Sequence, residues 1–220
     1  MTKRPSQSNS QSNSNFKYAT LYFDVDDVVI KSSETVISLL NEAHGINPKK
    51  TVNDIKDWDF KSVLPSITSQ QLLSVFESEE FWKTIEPNPD FMLLMSSPFV
   101  EHYFIRFVSK GTAVNLLYKE TFIHKLMSSF QNVKYEFIGL AMGTSKSTID
   151  MSDGVQIDDN CYYLDTNAAS KYLVKNHRET EYNQCPKNED NFYTINTLVE
   201  FLEILKFDFE QEGNFLRGEY

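Results

Sequence analysis

Two short apolar runs that each end in acidic residues constrain this 220-residue sequence more than any other feature. The first run, residues 18–23, is β-prone and is followed at once by Asp24 and Asp26. The second run, residues 155–157, is followed by Asp158 and Asp159. Short apolar runs that end abruptly in polar residues are typical of buried strands. The sequence therefore predicts two buried strands with carboxylates at their carboxyl ends.

Predicted helices and further strands alternate along the rest of the sequence. Strands are predicted near residues 103–108, 133–138 and 171–174, and helices near residues 70–77, 91–95, 115–130 and 198–205. Strands that alternate with helices form a mostly parallel sheet covered on both faces. We expect an α/β fold with a Rossmann-like parallel sheet, whose ligands bind outside the carboxyl ends of the strands.

The sequence divides into a core, an insertion and two tails. Residues 1–16 are rich in Ser, Asn and Gln without a hydrophobic period, and we expect a disordered tail there. The remaining divisions are a core of residues 17–33 and 89–208, a small helical cap of residues 34–88 inserted after the first strand, and a C-terminal tail of residues 209–220. Ser32 or Ser33 is expected to cap the first helix, and Gly45 to end it.

The acidic composition excludes some classes of partner. A formal net charge of −10 offers no broad basic surface for duplex nucleic acid, whereas a small phosphorylated substrate is compatible with it. The sequence shows no secretory signal and no apolar run long enough to span a membrane. Its two cysteines, Cys161 and Cys185, lack CxxC spacing, so we expect no disulfide framework. We predict a cytoplasmic protein without a membrane partner and leave a homodimer open.

The two acidic clusters are candidate metal ligands. Asp24 and Asp26 lie two residues apart on a loop that leaves a strand, and their repulsion is costly unless a divalent cation or a proton offsets it. In a parallel sheet, Asp158 and Asp159 open onto the same edge. Either cluster alone is more often an acidic turn or a charged helix start. Convergence of both clusters on one edge favours a Mg²⁺ site.

Two further candidate residues lie between these clusters. Ser109 closes the predicted strand of residues 103–108, and Lys146 lies in a polar loop after Gly143. A hydroxyl and an ammonium at neighbouring strand ends bind phosphoryl oxygens and neutralise charge during phosphoryl transfer. Each residue taken singly is more often a solvated surface residue. Their order between two acidic clusters favours a phosphoryl-transfer site.

This ordered set resembles the four sequence motifs of the haloacid dehalogenase-like (HAD) hydrolases over residues 18–167. Within that superfamily, the sequence is most similar to the 5'(3')-deoxyribonucleotidases. The likeness to them rests on residues 74–87, which include Phe81 and Trp82, and on the form D-x-x-x-I-D-D at residues 153–159.

Three positions depart from the pattern of that family. Asp27 stands where glycine is frequent, Arg106 interrupts an otherwise apolar strand, and Lys110-Gly111 follows Ser109 where the family often has Thr-Ser-Pro. None of these departures removes a catalytic group. They bear on the substrate instead, because the residues beside Ser109 help to shape the pocket.

The resemblance implies a catalytic role for four residues. Asp24 would be the nucleophile that forms an aspartyl-phosphate, and Asp26 would protonate the leaving oxygen and then activate water. Ser109 and Lys146 would stabilise charge on the phosphoryl oxygens. The implied reaction is the hydrolysis of a phosphomonoester.

The resemblance also implies how the Mg²⁺ cofactor is held. The Asp24 carboxylate, the Asp26 backbone carbonyl and Asp158 would bind the cation, with a phosphate oxygen and waters completing an octahedron. Asp159 would order a water or Lys146 from outside the ligand set. The sequence leaves open which of Asp158 and Asp159 contacts the metal directly.

The substrate implied by the resemblance is a (deoxy)nucleoside monophosphate. Phe76, Phe81 and Trp82 of the cap would stack on the base, and Lys110 would be a further substrate contact. Each aromatic residue is equally well explained as part of the cap's own core. Three alternatives stay open: a phosphatase for another small phosphate ester, a phosphatase for a nucleic-acid end, or a HAD-fold binding protein without turnover.

Overall fold

A six-stranded parallel sheet forms the centre of the computed structural model, which describes residues 20–184 and 191–217. In chain order the strands are β1 (Thr20–Phe23), β2 (Phe104–Gly111), β3 (Lys134–Ala141), β4 (Gly154–Asp158), β5 (Ser170–Val174) and β6 (Tyr193–Ile195). Across the sheet they are ordered β3-β2-β1-β4-β5-β6, with every neighbouring pair parallel. The carboxyl ends of all these strands therefore lie on one edge.

Helices cover the sheet and form the insertion. In chain order the helices of the described ranges are α1 (Ser32–His44), α2 (Ser69–Phe76), α3 (Glu79–Thr84), α4 (Pro89–Met95), α5 (Ala113–Met127) and α6 (Leu198–Arg217). Helix α5 packs on β2 and β3, and α6 packs on β6 and α4. The predicted α/β fold class is confirmed.

Strand β1 lies near the middle of the sheet, between β2 and β4, and all four of its residues are buried. A strand covered on both faces has a continuous apolar run rather than an alternating one. Phe23 packs against Phe91 on one helix and is paired with Phe107 of β2 and Ile157 of β4. This register brings the residues that follow β1, β2 and β4 to the same region of the edge.

The insertion leaves and re-enters the core at one point. The Lys31 N–H donates to the Glu86 carbonyl at 3.0 Å, and the Asn88 N–H donates to the Val29 carbonyl at 2.8 Å. Helices α1 to α3 lie between these tethers and form the helical cap. Because α1 begins at Ser32, the predicted division between residues 33 and 34 falls inside a helix, after its first two residues.

Several other predicted boundaries need correction. Strand β2 runs to Gly111, so Ser109 lies within the strand and not after it. Helix α6 continues to Arg217, past the predicted start of a C-terminal tail at residue 209. Strand β6 and helix α3 were not predicted, because both are short and carry too few residues for a clear period.

The ends of α1 were only partly predicted. Gly45 ends the helix in the left-handed conformation, with φ of 57°, as expected. The N-cap is Lys31, however, and neither Ser32 nor Ser33 caps the helix. Both hydroxyls donate to the Asp27 carboxylate instead, so neither caps the backbone N–H groups at the start of the helix.

Some expectations lie outside the described residues, including the predicted tail of residues 1–16 and Cys185. Within residues 20–184 and 191–217, no helix has the length and apolar character needed to cross a membrane. Cys161 is disulfide-bonded, which the cysteine spacing did not indicate.

Candidate active site

Three buried charged groups meet where β1 and β4 end. Lys146 belongs to the short 3-10 helix Lys146–Thr148, and its side chain is 2% exposed. Its ammonium donates to Asp24 Oδ1 and, over 2.7 Å, to Asp158 Oδ2. The two predicted acidic clusters therefore converge, and the predicted lysine joins them.

The charge of Lys146 is favoured by its partners. Burial alone would lower the pKa of this amine, but Asp158 and Asp24 outweigh it and raise the pKa of Lys146. For Asp158, burial outweighs the opposite charge of Lys146 and raises the pKa of the carboxyl group to about 6. One ammonium therefore does not fully offset the carboxylates around it.

Asp159 completes a group of three carboxylates that suits a hard cation. Ligand oxygens of Asp24, Asp158 and Asp159 all lie within 4.8 Å of one another. Burial, together with the nearby Asp27 and Asp24, raises the pKa of Asp159 well above its usual range. A divalent cation with oxygen ligands relieves such repulsion, so the donor set fits Mg²⁺. Both Asp158 and Asp159 lie within this group, so either could contact the metal directly, the choice that the sequence left open.

A second buried lysine, absent from the predicted site, holds Asp26 and Ser109. The Lys119 ammonium donates to Asp26 Oδ2, to Ser109 Oγ at 2.9 Å and to the Lys110 carbonyl at 3.1 Å. Burial raises the pKa of Asp26, and Lys119 offsets part of this rise. The Asp26 carboxylate is thus engaged by Lys119 and lies outside the group of three carboxylates. The predicted contact of its backbone carbonyl with a metal stays a prediction.

The helical period of the sequence contains a signal for Lys119. On α5, Asn115, Lys119, Ile123 and Met127 are spaced four residues apart, and all four are buried. Residues at this spacing share one helix face. A lysine in the middle of a buried face needs a polar partner, so its position alone marks it as a candidate site residue.

The backbone conformation and the contacts of Asp27 explain why aspartate is tolerated at a position where glycine is frequent in the similar family. Its φ of 54° is left-handed, a conformation in which glycine is unstrained and aspartate is tolerated. Its carboxylate lies 3.1 Å from Arg178 Nη2, and both side chains are buried. Asn176 Nδ2 also donates to the Asp27 carbonyl at 2.7 Å. The loop after β5 is therefore tied to the loop after β1.

A cavity of about 370 Å³ lies at this edge and is lined by some of the residues described above. Its volume lies within the range of roughly 300–1,000 Å³ that small-molecule sites occupy. The core side contributes Asp24, Asp26, Asp27, Lys110, Lys119, Asp159 and Tyr163, and the cap side contributes Trp58, Phe60, Leu72, Leu73 and Phe76. The cavity therefore has a charged wall and an apolar wall. Phe76 and Lys110 line it, and their predicted role as substrate contacts stays a prediction.

Phe81 and Trp82 do not line this cavity, and their predicted role in base stacking is wrong. Phe81 is fully buried against Phe76, with ring centroids 5.3 Å apart. Trp82 donates from Nε1 to the Phe76 carbonyl at 2.7 Å and stacks on Tyr118 of α5 at 5.7 Å. Both residues hold the cap together and join it to the core. Trp58, which is 51% exposed, was not predicted.

The fold and the site together define a HAD-like architecture: a parallel sheet, a helical insertion after β1 and carboxylates with a lysine at the carboxyl edge. No family model matches this sequence, and no curated protein matches it. Solved structures do match, so the likeness to known proteins lies in the three-dimensional fold.

Three solved structures illustrate the likeness. A HAD-superfamily hydrolase of subfamily IA from Geobacter sulfurreducens is 11% identical, with a TM-score of 0.52, and the match covers 86% of this chain and 96% of that one. A predicted phosphoglycolate phosphatase from Haemophilus somnus is 11% identical, with a TM-score of 0.51 and coverages of 86% and 99%. A HAD hydrolase from Bacillus subtilis, solved bound to magnesium, is 14% identical, with a TM-score of 0.51 and coverages of 86% and 99%. The chain therefore has the HAD fold.

Proposed function

We propose that this chain is a Mg²⁺-dependent phosphomonoesterase that forms an aspartyl-phosphate on Asp24. The observation that carries the proposal is the meeting of Asp24, Lys146 and Asp158 at the carboxyl edge of the sheet. Asp26 lies two residues from Asp24 and has a pKa raised by burial, which suits a group that gives and takes a proton. The solved neighbours include proteins named as a phosphatase and as a magnesium-bound hydrolase, which supports the same reaction class.

In the first half-reaction, an oxygen of Asp24 attacks phosphorus as the bond from phosphorus to the ester oxygen breaks. The leaving oxygen takes a proton from the Asp26 carboxyl group. The Lys146 ammonium and the Ser109 hydroxyl stabilise charge on the transferred group. The organic product then leaves as a neutral alcohol.

In the second half-reaction, water attacks the phosphorus of the aspartyl-phosphate and gives a proton to Asp26. The bond from phosphorus to Asp24 breaks, and inorganic phosphate leaves. Both carboxyl groups return to their starting states, so one residue serves as acid and then as base.

The cofactor would lie among Asp24, Asp158 and Asp159, with the Asp26 carbonyl as a further ligand. These are hard oxygen donors, which Mg²⁺ prefers. When bound, the cation neutralises negative charge on the phosphoryl group and between the carboxylates.

The proposed substrate is a (deoxy)nucleoside monophosphate. The cap side of the cavity presents Trp58, Phe60 and Phe76, and flat aromatic faces suit a nucleobase. The Lys110 ammonium lies 4.5 Å from the Tyr163 ring centroid at the core side, where it can meet an anionic or hydroxylated group. The cavity is sized for a small phosphate ester.

The reaction is tested by hydrolysis of 4-nitrophenyl phosphate. We expect turnover with Mg²⁺, loss of activity with a chelator, and poor replacement by Ca²⁺, whose larger and looser coordination disturbs in-line geometry. Release of nitrophenol and of inorganic phosphate is measured in parallel. Full activity in the presence of chelator would contradict the metal assignment.

Asp24→Asn is the matched control for this experiment, because it removes the nucleophile and keeps the shape of the side chain. Activity should fall to background while the melting temperature stays close to that of the wild type. A panel of nucleoside monophosphates and sugar phosphates then tests the substrate. Equal turnover across the panel would contradict the nucleotide assignment and leave the phosphatase assignment in place.

A further inference from the structure

Lys119 uses all of its hydrogen-bonding capacity inside the site. Its side chain is 2% exposed and extends from α5 toward the end of β2. An ammonium has three N–H donors, and Lys119 has three acceptors: Asp26 Oδ2, Ser109 Oγ and the Lys110 carbonyl. One nitrogen therefore fixes three separate groups relative to one another.

These contacts leave specific atoms of the two partners available. Ser109 Oγ accepts from Lys119, so its own O–H remains to donate to another acceptor. Asp26 Oδ2 is held by Lys119, whereas Asp26 Oδ1 is buried and has no hydrogen-bond partner within the described residues. The contacts of Lys119 thus leave the Ser109 hydroxyl proton and Asp26 Oδ1 free to bind another group, and Asp26 lines the cavity.

A purely structural role for Lys119 is disfavoured by its surroundings. Its helix face also carries Ile123 and Met127, and an apolar residue would fill the same place without the cost of burying an ammonium. Removing one partner of a buried charge pair is costly, whereas replacing both partners by apolar residues is often neutral for stability. A buried lysine is therefore not needed for stability at this place, and its distinctive contribution is to orient Asp26 and Ser109.

We propose that Lys119 is a positioning residue that holds Asp26 for proton transfer and Ser109 for phosphoryl binding. This inference rests on the proposed phosphomonoesterase function and adds to it a second buried lysine beside Lys146. Lys146 contacts Asp24 and Asp158, whereas Lys119 contacts Asp26 and Ser109. The two ammonium groups therefore support different halves of the site.

The test compares two leaving groups in single turnovers with enzyme in excess and Mg²⁺ present. Nitrophenolate leaves 4-nitrophenyl phosphate without needing a proton, whereas the alkoxide of glycerol 2-phosphate needs one from Asp26. Lys119→Met should slow the first half-reaction of the alkyl ester by roughly 100-fold, the lower range of general acid catalysis. It should slow that of the aryl ester by roughly ten-fold or less.

Two other variants complete the experiment. Lys125→Met makes the same substitution at an exposed position of the same helix and should leave both rates unchanged. Lys119→Arg keeps a buried cation and should restore part of the alkyl-ester rate. If Lys119→Met fails to fold, the ratio of the two rates in Lys119→Arg still reports on the orientation of Asp26.

The outcomes separate the two proposals. Wild-type enzyme that hydrolyses neither ester counts against the proposed function. Wild-type activity with equal losses on both esters in folded Lys119→Met overturns the positioning role. A larger loss on the alkyl ester than on the aryl ester supports it, provided that this excess is absent when Lys119→Met is added to Asp26→Asn, since the residue then acts through Asp26.

Discussion

Asp27 needs compensation for both its backbone and its charge. The left-handed φ of 54° is sparsely populated by residues other than glycine, asparagine and aspartate. Its carboxylate is buried near Asp159, where like charges repel. Arg178 and the Ser33 N–H, which donates at 2.8 Å, offset that cost. The unusual aspartate is therefore tolerated because a distant arginine pairs with it.

Arg178→Met should lower the free energy of unfolding by about 3 kcal/mol, because it leaves a buried carboxylate without its cation. Denaturant unfolding of metal-free protein, followed by tryptophan fluorescence, measures the change. Adding Asp27→Asn should recover most of the loss, since asparagine keeps the acceptor for Ser33 and tolerates the left-handed conformation. A double variant as unstable as Arg178→Met alone would mean that packing of the arginine, and not charge, was lost.

The sequence predicted site residues that follow strands better than residues that reach the site from elsewhere. Asp24 and Asp158 were identified because an apolar run ends beside each of them, and parallel strands end on one edge. Arg178 and Trp58 have no such local pattern. Their positions depend on how a loop and a cap fold back over the core, which the local sequence does not encode.

At the scale of elements, the strands of the sheet could be predicted from the sequence, whereas the packing of the helices and of the cap could not. Five of the six strands were predicted, because each contains a short run of apolar or β-prone residues. The short strand β6 and helix α3 were missed because they have no clear period. From the sequence alone, an aromatic residue of the cap could belong either to the core of the cap or to the wall of the cavity. The structure shows that Trp82 is held within the cap, whereas Trp58 lines the cavity.

Helix α5 joins the cap to the catalytic edge. Thr112 at its start donates to Glu77, and Asn115 Nδ2 donates to the Phe76 carbonyl at 3.2 Å. Tyr118 stacks on Trp82, and the next residue is Lys119. One helix therefore contacts the cap through one set of side chains and the acid–base group through another.

The two tryptophans should respond differently to replacement by alanine. Trp58→Ala should raise the Michaelis constant for a nucleoside monophosphate by roughly ten-fold and leave a compact alkyl phosphate unaffected, as expected for lost stacking on a base. Trp82→Ala should instead lower the free energy of unfolding by about 3 kcal/mol, since it loses its stack on Tyr118 and its hydrogen bond to Phe76. Steady-state kinetics and denaturant unfolding are measured on both variants.

Reversal of this pattern would contradict the assignment of the cavity wall. Equal losses on the nucleotide and the alkyl phosphate in Trp58→Ala would mean that the residue supports closure of the cap and not base recognition. In that outcome the nucleotide proposal loses its main support. The phosphatase proposal rests on Asp24, Asp26 and Lys146 and is unaffected.

At the scale of the whole molecule, the chain is acidic, and part of its negative charge lies buried at the site. The net charge is −10, and four carboxylates, Asp24, Asp27, Asp158 and Asp159, crowd the carboxyl edge of the sheet. Lys146 and Arg178 offset this charge only in part, as the raised pKa values of Asp158 and Asp159 indicate. We therefore expect the folded protein to be less stable without a bound cation than with one.

Mg²⁺ should raise the melting temperature of the purified protein. At a ten-fold excess over its dissociation constant, a ligand of the folded state adds about 1.4 kcal/mol, which corresponds to a rise of about 4 °C for a chain of this size. Choline chloride at matched ionic strength is the control, because screening of the net charge stabilises an acidic protein without any site. Asp159→Asn removes one carboxylate of the group of three, so its metal-free melting temperature should exceed that of the wild type, and its rise with Mg²⁺ should be lost. A rise of the same size in choline chloride, or an undiminished rise in Asp159→Asn, would mean that the stabilisation arises from bulk screening and not from a cation held by these aspartates.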